Sequence, residues 1–331
     1  VTHLAPPPPD LLAALYGPIR DELAQAEQLF REQLQNDHPF VDELVSYGCL
    51  LGGKRLRPAL LLLAAKAAGT IRREHYTLAA IVEMIHTATL VHDDVLDEAQ
   101  TRRHLATVNA RWDNEAAVLL GDFLFTHAFY LASTTGSTTA CRLIGQATNR
   151  VCEGEIKQKG SRGNLDLSEQ EYFEIIEGKT AALTECSCQL GALFAGGDED
   201  ATRCLAEYGR LLGIAFQIAD DLLDVVGTQN VVGKTLGTDL DQQKPTLPLI
   251  RTLSLCTQAE RQTIADLLFN PTEDRDQRLA TLYETYDALE YSRQTAQRFV
   301  DQAREQLSGL GSSAARDTLL AMSEFVVQRS H

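Results

Sequence analysis

Two segments, Asp93-Asp94-Val95-Leu96-Asp97 and Asp220-Asp221-Leu222-Leu223-Asp224, repeat the pattern D-D-x-x-D inside otherwise apolar stretches. On a helix, residues four apart stand one above the other, so Asp93 shares a face with Asp97, and Asp220 with Asp224. Asp94 and Asp221 are turned about 100° away. Like charges at this spacing destabilise a helix unless something neutralises them. Oxygen donors unaccompanied by His or Cys select hard cations, Mg²⁺ in particular. That ion takes one or two carboxylates and fills its shell with water and phosphate oxygens. A lone D-D-x-x-D reads most simply as a solvated acidic face. Here it occurs twice in one register, with basic residues after each copy: Arg102-Arg103 after the first, Lys234 and Lys244 after the second. Two such helices facing each other would grip a diphosphate between metal ions.

The elements that position these aspartates are helices. Apolar residues recur at three- and four-residue spacing, as in Leu11, Leu12, Leu15 and Ile19, or Leu78, Ile81, Ile85, Ala88 and Val95. Alternating strand-like stretches are nearly absent. Breaks fall at Gly52-Gly53, Gly69-Thr70, Gly136-Ser137, Gly160 to Gly163 and Gly196-Gly197. Ser168-x-x-Glu171 predicts a capping box that opens a helix, and Asn270-Pro271 an N-cap with proline at the first helical position. Pro6 to Pro9 read as an extended lead-in over residues 1–9. From Asp10 onward no Pro- or Ser-rich linker divides the chain. The expectation is an all-α fold, with residues 10–331 forming a single large helical bundle around a deep central cavity.

Of 331 residues, 30 are Lys or Arg and 46 are Asp or Glu, a net charge of −16 that leaves no basic face for general nucleic-acid binding. An anionic substrate is compatible with it only where basic side chains or metal ions reverse the field locally. Cys49, Cys141, Cys152, Cys186, Cys188, Cys204 and Cys256 are odd in number and loosely spaced, so they read as reduced thiols rather than a disulfide framework. No basic stretch followed by an apolar core opens the chain. The longest purely apolar run, Ala59 to Ala65, is too short to span a bilayer, so a cytoplasmic location is expected.

From about Leu50 to Pro248 the chain resembles the trans-isoprenyl diphosphate synthases, the polyprenyl synthetase family. The resemblance rests on Gly52-Gly53-Lys54-Arg55-Leu56-Arg57-Pro58, Ile85 to His92 leading into the first aspartate motif, Arg102-Arg103, and Gly121-Asp122-Phe123-Leu124. It continues through Glu153-Gly154-Glu155, Lys179-Thr180-Ala181, Phe216 to Ala219 before the second motif, Gly233-Lys234, and Lys244 to Pro248. Each piece alone is weak, but their shared order and spacing are specific. The resemblance implies a Mg²⁺-dependent prenyltransferase that joins isopentenyl diphosphate to an allylic diphosphate, farnesyl or geranylgeranyl diphosphate being the expected primers. It implies three Mg²⁺ ions per site, with Mn²⁺ able to substitute, and a homodimer. Long apolar products would require transient membrane contact for release.

The same resemblance gives Lys54, Arg57, His86 and Arg103 the isopentenyl diphosphate, which suits the planar fork of Arg and the point charge of Lys. The allylic diphosphate falls to metal held by Asp93, Asp97 and Asp220. Arg102, Lys179, Thr180, Gln217, Lys234 and Lys244 contact it directly, while Asp94, Asp221 and Asp224 orient water or basic partners. Asp93, Asp97, Lys179, Asp220 and Lys234 are the residues expected to carry catalysis. His86 lies two turns before Asp93 on the same face. Gly178, just before Lys179 in a helical stretch, would cost about 1 kcal/mol relative to Ala, which points to a local distortion. His92 is turned away from Asp93, and His3, His75, His104, His127 and His331 have no partner pattern.

Ala88 and Thr89, five and four residues before Asp93, occupy the region that bulky aromatics block in short-chain members of the family. Their small size favours a product of about C30 or longer, with Phe125, Phe129 and Tyr130 as deeper plugs; close helix packing is the competing reason for small residues there. The alternatives are a farnesyl or geranylgeranyl diphosphate synthase and a non-catalytic partner subunit, which would be expected to lose carboxylates. A terpene cyclase would carry a different second metal motif, and a di-iron bundle would need Glu-x-x-His pairs.

Overall fold

The computed structural model describes residues 14–50, 53–226 and 238–328, so the Pro6 to Pro9 lead-in, Gly52 and Gly233-Lys234 lie outside the described residues. After a short 3₁₀ turn, the helices run α1 (Arg20–Gln33), α2 (Pro39–Leu50), α3 (Leu56–Ala68) and α4 (Arg73–Leu96). A small antiparallel hairpin of β1 (Thr101–Arg102) and β2 (Leu105–Ala106) follows. Next come α5 (Val108–Arg111), α6 (Asn114–Thr134), α7 (Thr138–Gly160) and α8 (Glu169–Ile176), which continues through a π-helical turn at Glu177–Ala181 into α9 (Ala182–Ala195). The chain ends with α10 (Glu199–Val226), α11 (Thr238–Asp241), α12 (Leu247–Leu255), α13 (Gln258–Phe269), α14 (Arg275–Thr285), α15 (Ala288–Gln306) and α16 (Ala314–Gln328). The fold is all-α.

A helix that is apolar all round has to be surrounded. That is the situation of α3, whose run Ala59 to Ala65 is wholly excluded from solvent. It packs against α9, which packs in turn against α10. On one side α4 lies between α1 and α6, and on the other α15 covers α10. The region beyond Pro248, which shows no chemistry in its sequence, supplies most of one further apolar cluster, adds Ile250 and Ala296 to another, and closes over α10. There the buried Tyr208 hydroxyl donates to the Leu319 carbonyl at 2.7 Å.

Local signals set several helix starts. Ser168 Oγ accepts from the Glu171 amide at 3.2 Å while the Glu171 carboxylate accepts from the Ser168 amide at 2.8 Å, the reciprocal box that opens α8. Thr257 and Glu260 make the same arrangement at α13. Asn270-Pro271 departs from expectation: Asn270 closes α13, and α14 starts from Asp274 instead. Asn is also at home past a helix end, and Pro often follows one because it cannot continue the helix. Helix α6 has the length and apolarity of a membrane span, but one face is packed against α4.

Candidate active site

Both aspartate motifs sit at helix C-termini, the first closing α4 and the second closing α10. Unpaired carbonyls already make a helix C-terminus negative, so carboxylates there call for cations. The fold delivers them. Buried Asp94 receives Arg102 in a two-pronged grip, with Nε at 2.9 and 3.1 Å from its oxygens and Nη2 at 2.8 Å. Lys244 Nζ lies 3.2 and 3.1 Å from the two oxygens of Asp97, and Arg162 Nη2 lies 3.1 Å from one of them. Lys179 Nζ stands 3.6 Å from Asp93 and donates to Glu155 at 2.9 Å and Gln158 at 3.0 Å. Burial opposes the charge on Lys179, but Asp93 and Glu155 outweigh it and hold the ammonium above its usual range.

One polar network joins the two motifs. Lys244, buried beside Asp97, reaches Asp239 at 3.8 Å, and the Asp239 amide donates to Asp224 at 3.1 Å. On the other side Thr180 donates to Gln217 at 2.6 Å, and Gln217 donates to Asp221 at 2.7 Å. Tyr172 donates to the other oxygen of Asp221, also at 2.7 Å. Burial pushes the Asp221 carboxyl up to about 7, with Asp239 and Asp220 acting in the same direction against the hydrogen bonds from Gln217 and Tyr172.

Lys179 and Thr180 owe their placement to the π-helical turn, a single wide turn of the kind that recurs at functional sites. The turn crosses α7 at backbone contact. A Cβ on Gly154 would lie 2.3 Å from the Lys179 amide nitrogen, and one on Gly178 would lie 2.9 Å from the Arg150 carbonyl oxygen. The first residue of the turn, Glu177, is held by Arg150 at 2.9 Å and Arg210 at 3.0 Å. The distortion expected near Gly178 is thus a π turn, and close helix contact explains the glycine.

A basic pocket lies alongside. Gly53 leaves room for the guanidinium of Arg103, whose Nη2 would stand 2.3 Å from any Cβ there. Arg57 is half-buried, and its Nε has no hydrogen-bond partner. His86 is held well below its usual value of 6.5, first by burial and then by the charges of Arg57, Arg102, Arg103 and Arg55. Lys54 is exposed, with its Nζ 5.5 Å from the centre of the Phe325 ring on α16, and Tyr16 donates to its carbonyl at 2.7 Å. Concentrated positive charge and a buried, unpaired guanidinium nitrogen are the features that an anion would satisfy.

Ala88 is fully buried, while Thr89 is half-buried with its hydroxyl donating to the His86 carbonyl at 2.7 Å. Of the expected deeper plugs, Phe125 packs against the core, while Phe129 and Tyr130 do not lie inside this chain. Phe129 is 39% and Tyr130 62% exposed on the outer face of α6, and Phe125 packs on the His92 ring with centroids 5.9 Å apart. The helical phase of Phe129 and Tyr130 turns them away from the stripe that meets α4.

Sequence reasoning missed Arg162 and Gln242, which meet Asp97 from loops with no motif. It also missed Tyr172 on Asp221, and Gln158 beside Lys179. His92 turns toward α6 rather than the motif. Its ring fills the notch left by Gly121, with Nε2 3.1 Å from the Val118 carbonyl and 3.6 Å from Asp122.

Asp93, Asp97 and Asp220 offer oxygen donors alone, the chemistry of a Mg²⁺ site. Among the described residues, no three His, Cys, Asp or Glu side chains form a group that could hold a metal ion on their own. Open, oxygen-only carboxylates beside an anion pocket fit an ion that completes its shell with phosphate and water.

Comparison with known proteins places this arrangement in a class, the prenyl diphosphate synthases. The octaprenyl diphosphate synthase of Escherichia coli K12 is 38% identical over 313 residues, covering 93% of this chain and 96% of that protein. The crystal structure of a decaprenyl diphosphate synthase from Rhodobacter capsulatus superposes with a TM-score of 0.92 at 36% identity, over 97% of this chain and 99% of that one. A polyprenyl synthase from Caulobacter crescentus CB15, solved with calcium and isoprenyl diphosphate, gives a TM-score of 0.91 at 34% identity, over 97% and 98%. The polyprenyl synthetase family description matches residues 38–286. The chain belongs to the polyprenyl synthetase family.

Proposed function

We propose that the protein condenses isopentenyl diphosphate with an allylic diphosphate to make an all-trans polyprenyl diphosphate of about C30 or longer, each cycle adding one five-carbon unit. The observation that carries this reading is the polar network in which Lys244 links Asp97 to Asp239 and so to Asp224, with Lys179 on Asp93 and Gln217 on Asp221, next to the cluster of Arg57, His86 and Arg103. Long-chain activity is supported by the octaprenyl and decaprenyl relatives and by the small Ala88 and Thr89.

In this reading Lys179 and Lys244 supply fixed positive charge where the leaving diphosphate becomes more negative as its allylic C–O bond breaks. Arg102, held by Asp94, is aimed rather than free to wander. Mg²⁺, held by Asp93, Asp97 and Asp220, would supply further neutralisation of the same oxygens. Arg57, Arg103 and His86 fix the second diphosphate, so that the isopentenyl double bond faces the allylic carbon. Apolar side chains of the bundle keep water from the cation. The double bond attacks that carbon, a proton leaves the adjacent carbon, and the new allylic diphosphate is five carbons longer. The chain presents no side-chain nucleophile for the step, and the departed diphosphate is the base this reading assigns.

The calcium in the Caulobacter protein's structure supports a divalent ion here. The exposed apolar stripe of Val118, Leu119, Phe129 and Tyr130 on α6, with Ile156 on α7, is the surface expected to pair in a homodimer. The deciding experiment incubates purified protein with labelled isopentenyl diphosphate, farnesyl diphosphate and Mg²⁺, with an EDTA control, and sizes the dephosphorylated products. A metal-dependent ladder ending at C30 or beyond supports the reading. Arrest at C20 would make it a short-chain synthase, and no elongation with any primer would favour a partner subunit.

A further inference from the structure

Arg55 stands between Lys54 and Arg57 in the sequence, yet its side chain goes elsewhere. Its Nη1 lies 2.7 Å from Glu83 on α4, its Nη2 lies 3.5 Å from Glu27 on α1, and its guanidinium covers the Phe30 ring at 5.5 Å. The Arg55 backbone is left-handed, with φ 53° and ψ 34°, a conformation uncommon for a residue with a side chain. It joins the Gly53-Lys54 turn to the first turn of α3, which carries Arg57.

Glu83 is only 2% exposed, and its second oxygen, Oε2, has no partner. A buried carboxylate with an unsatisfied oxygen is costly, and a packed apolar residue would normally serve stability better. Its paired oxygen is what holds Arg55, across 28 residues of sequence. Burial pushes the Arg57 guanidinium down to about 10, and Glu83 acts against that loss. One buried acid, three residues from His86 on the same helix, thus holds Arg55 directly, and its charge also favours the guanidinium of Arg57.

We propose that the Glu83–Arg55 pair is a positioning device for the isopentenyl diphosphate pocket. It locks the left-handed turn so that Lys54 and Arg57 meet the diphosphate, while Arg55 itself makes no contact with substrate. The inference rests on the proposed role of Lys54 and Arg57 as diphosphate ligands.

The test is steady-state kinetics with each substrate varied separately, together with thermal unfolding, on Arg57→Ala, Glu83→Gln, Arg55→Gly and Arg55→Lys. Glu83→Gln and Arg55→Gly are each expected to raise KM for isopentenyl diphosphate about tenfold, with KM for the allylic substrate within about twofold. Arg55→Lys keeps a cation for Glu83 and is expected to recover most of that affinity. Glycine adopts the positive φ without strain, so Arg55→Gly separates the ion pair from the backbone turn and carries the test if Glu83→Gln does not fold. If both variants lower kcat or the folded fraction while KM for isopentenyl diphosphate stays put, and Arg57→Ala raises it, the pair is structural only and the inference falls. If Arg57→Ala itself leaves that KM unchanged, the assignment of the pocket is what fails.

Discussion

Lys179 and Thr180 are adjacent in the chain but serve opposite aspartate motifs. Lys179 Nζ stands 3.6 Å from Asp93 on α4, while Thr180 donates at 2.6 Å to Gln217, which holds Asp221 on α10. The π turn lets neighbouring residues work in this way, and its contact with α7 leaves no room for a side chain at Gly154.

Gly154→Ala should therefore displace the Lys179 backbone and lose about 1–3 kcal/mol of stability through overpacking, with kcat falling at least about tenfold as Lys179 loses its place. Gly145→Ala, on the same helix with nothing within 4 Å of the added Cβ, is the control. It should leave kcat unchanged and gain about 0.5–1 kcal/mol of stability through helix propensity. Thermal unfolding and single-turnover kinetics read both variants.

Asp93→Asn and Asp220→Asn should each lower kcat about a thousandfold and shift the Mg²⁺ dependence to higher concentration. Lys179 keeps Glu155 at 2.9 Å when Asp93 is neutralised, so metal-free stability should change by less than about 1 kcal/mol. Activity across a Mg²⁺ titration and melting in EDTA decide this. A large loss of stability in EDTA would make these carboxylates structural.

His86 gives a pH signature. In the folded protein burial and the charges of Arg57, Arg102, Arg103 and Arg55 keep it neutral well below 6.5, whereas the unfolded chain protonates near 6.5. Between those values the unfolded state binds more protons. His86 therefore contributes stability above pH 6.5 that is lost as the pH falls toward its lower folded value. Isopentenyl diphosphate brings negative charge to the pocket and should raise that value, so binding at about pH 6 takes up protons. Calorimetry in buffers of different ionisation enthalpy measures the uptake, and His86→Asn should leave only the ligand's own share.

Product length should respond to bulk before the first motif. Thr89 is half-buried where Ala88 is fully enclosed, so Thr89→Phe can be accommodated with less strain than Ala88→Phe. It should shorten the longest product while leaving the first condensation at a similar rate. An unchanged ladder would separate chain length from this position.

Much of the fold and of the site is legible in the sequence. The apolar period around Asp93 and Asp220 marks both motifs as helical, and Ser168 and Glu171 carry their own hydrogen-bonding logic. Arg162 and Gln242 are not legible, because they reach Asp97 from loops whose conformation depends on the packing of distant helices. Asn270 illustrates a local ambiguity, since the same dipeptide suits either side of a helix boundary and the packing of α13 and α14 decides. Phe129 and Tyr130 read as lining because bulk says nothing about direction. The phase of α6, set by its contact with α4, turns them outward. Glu83 leaves a faint signal, a single acid in the apolar stretch from Leu78 to Ile85, but its partner Arg55 is hidden among the basic residues of the Gly53 to Pro58 turn.

Lys179, Lys244, Arg162 and Arg102 already stand against Asp93, Asp97 and Asp94, so the acidic helix ends carry counter-ions made of the protein itself. Small metal-dependent domains draw their folding free energy from the ion and collapse when it is chelated. A helix end that pairs its carboxylates within the chain does not need a metal ion in order to fold. Under the proposed function, Mg²⁺ would then add to a fold that already stands, so its supply would govern turnover more than the amount of folded protein.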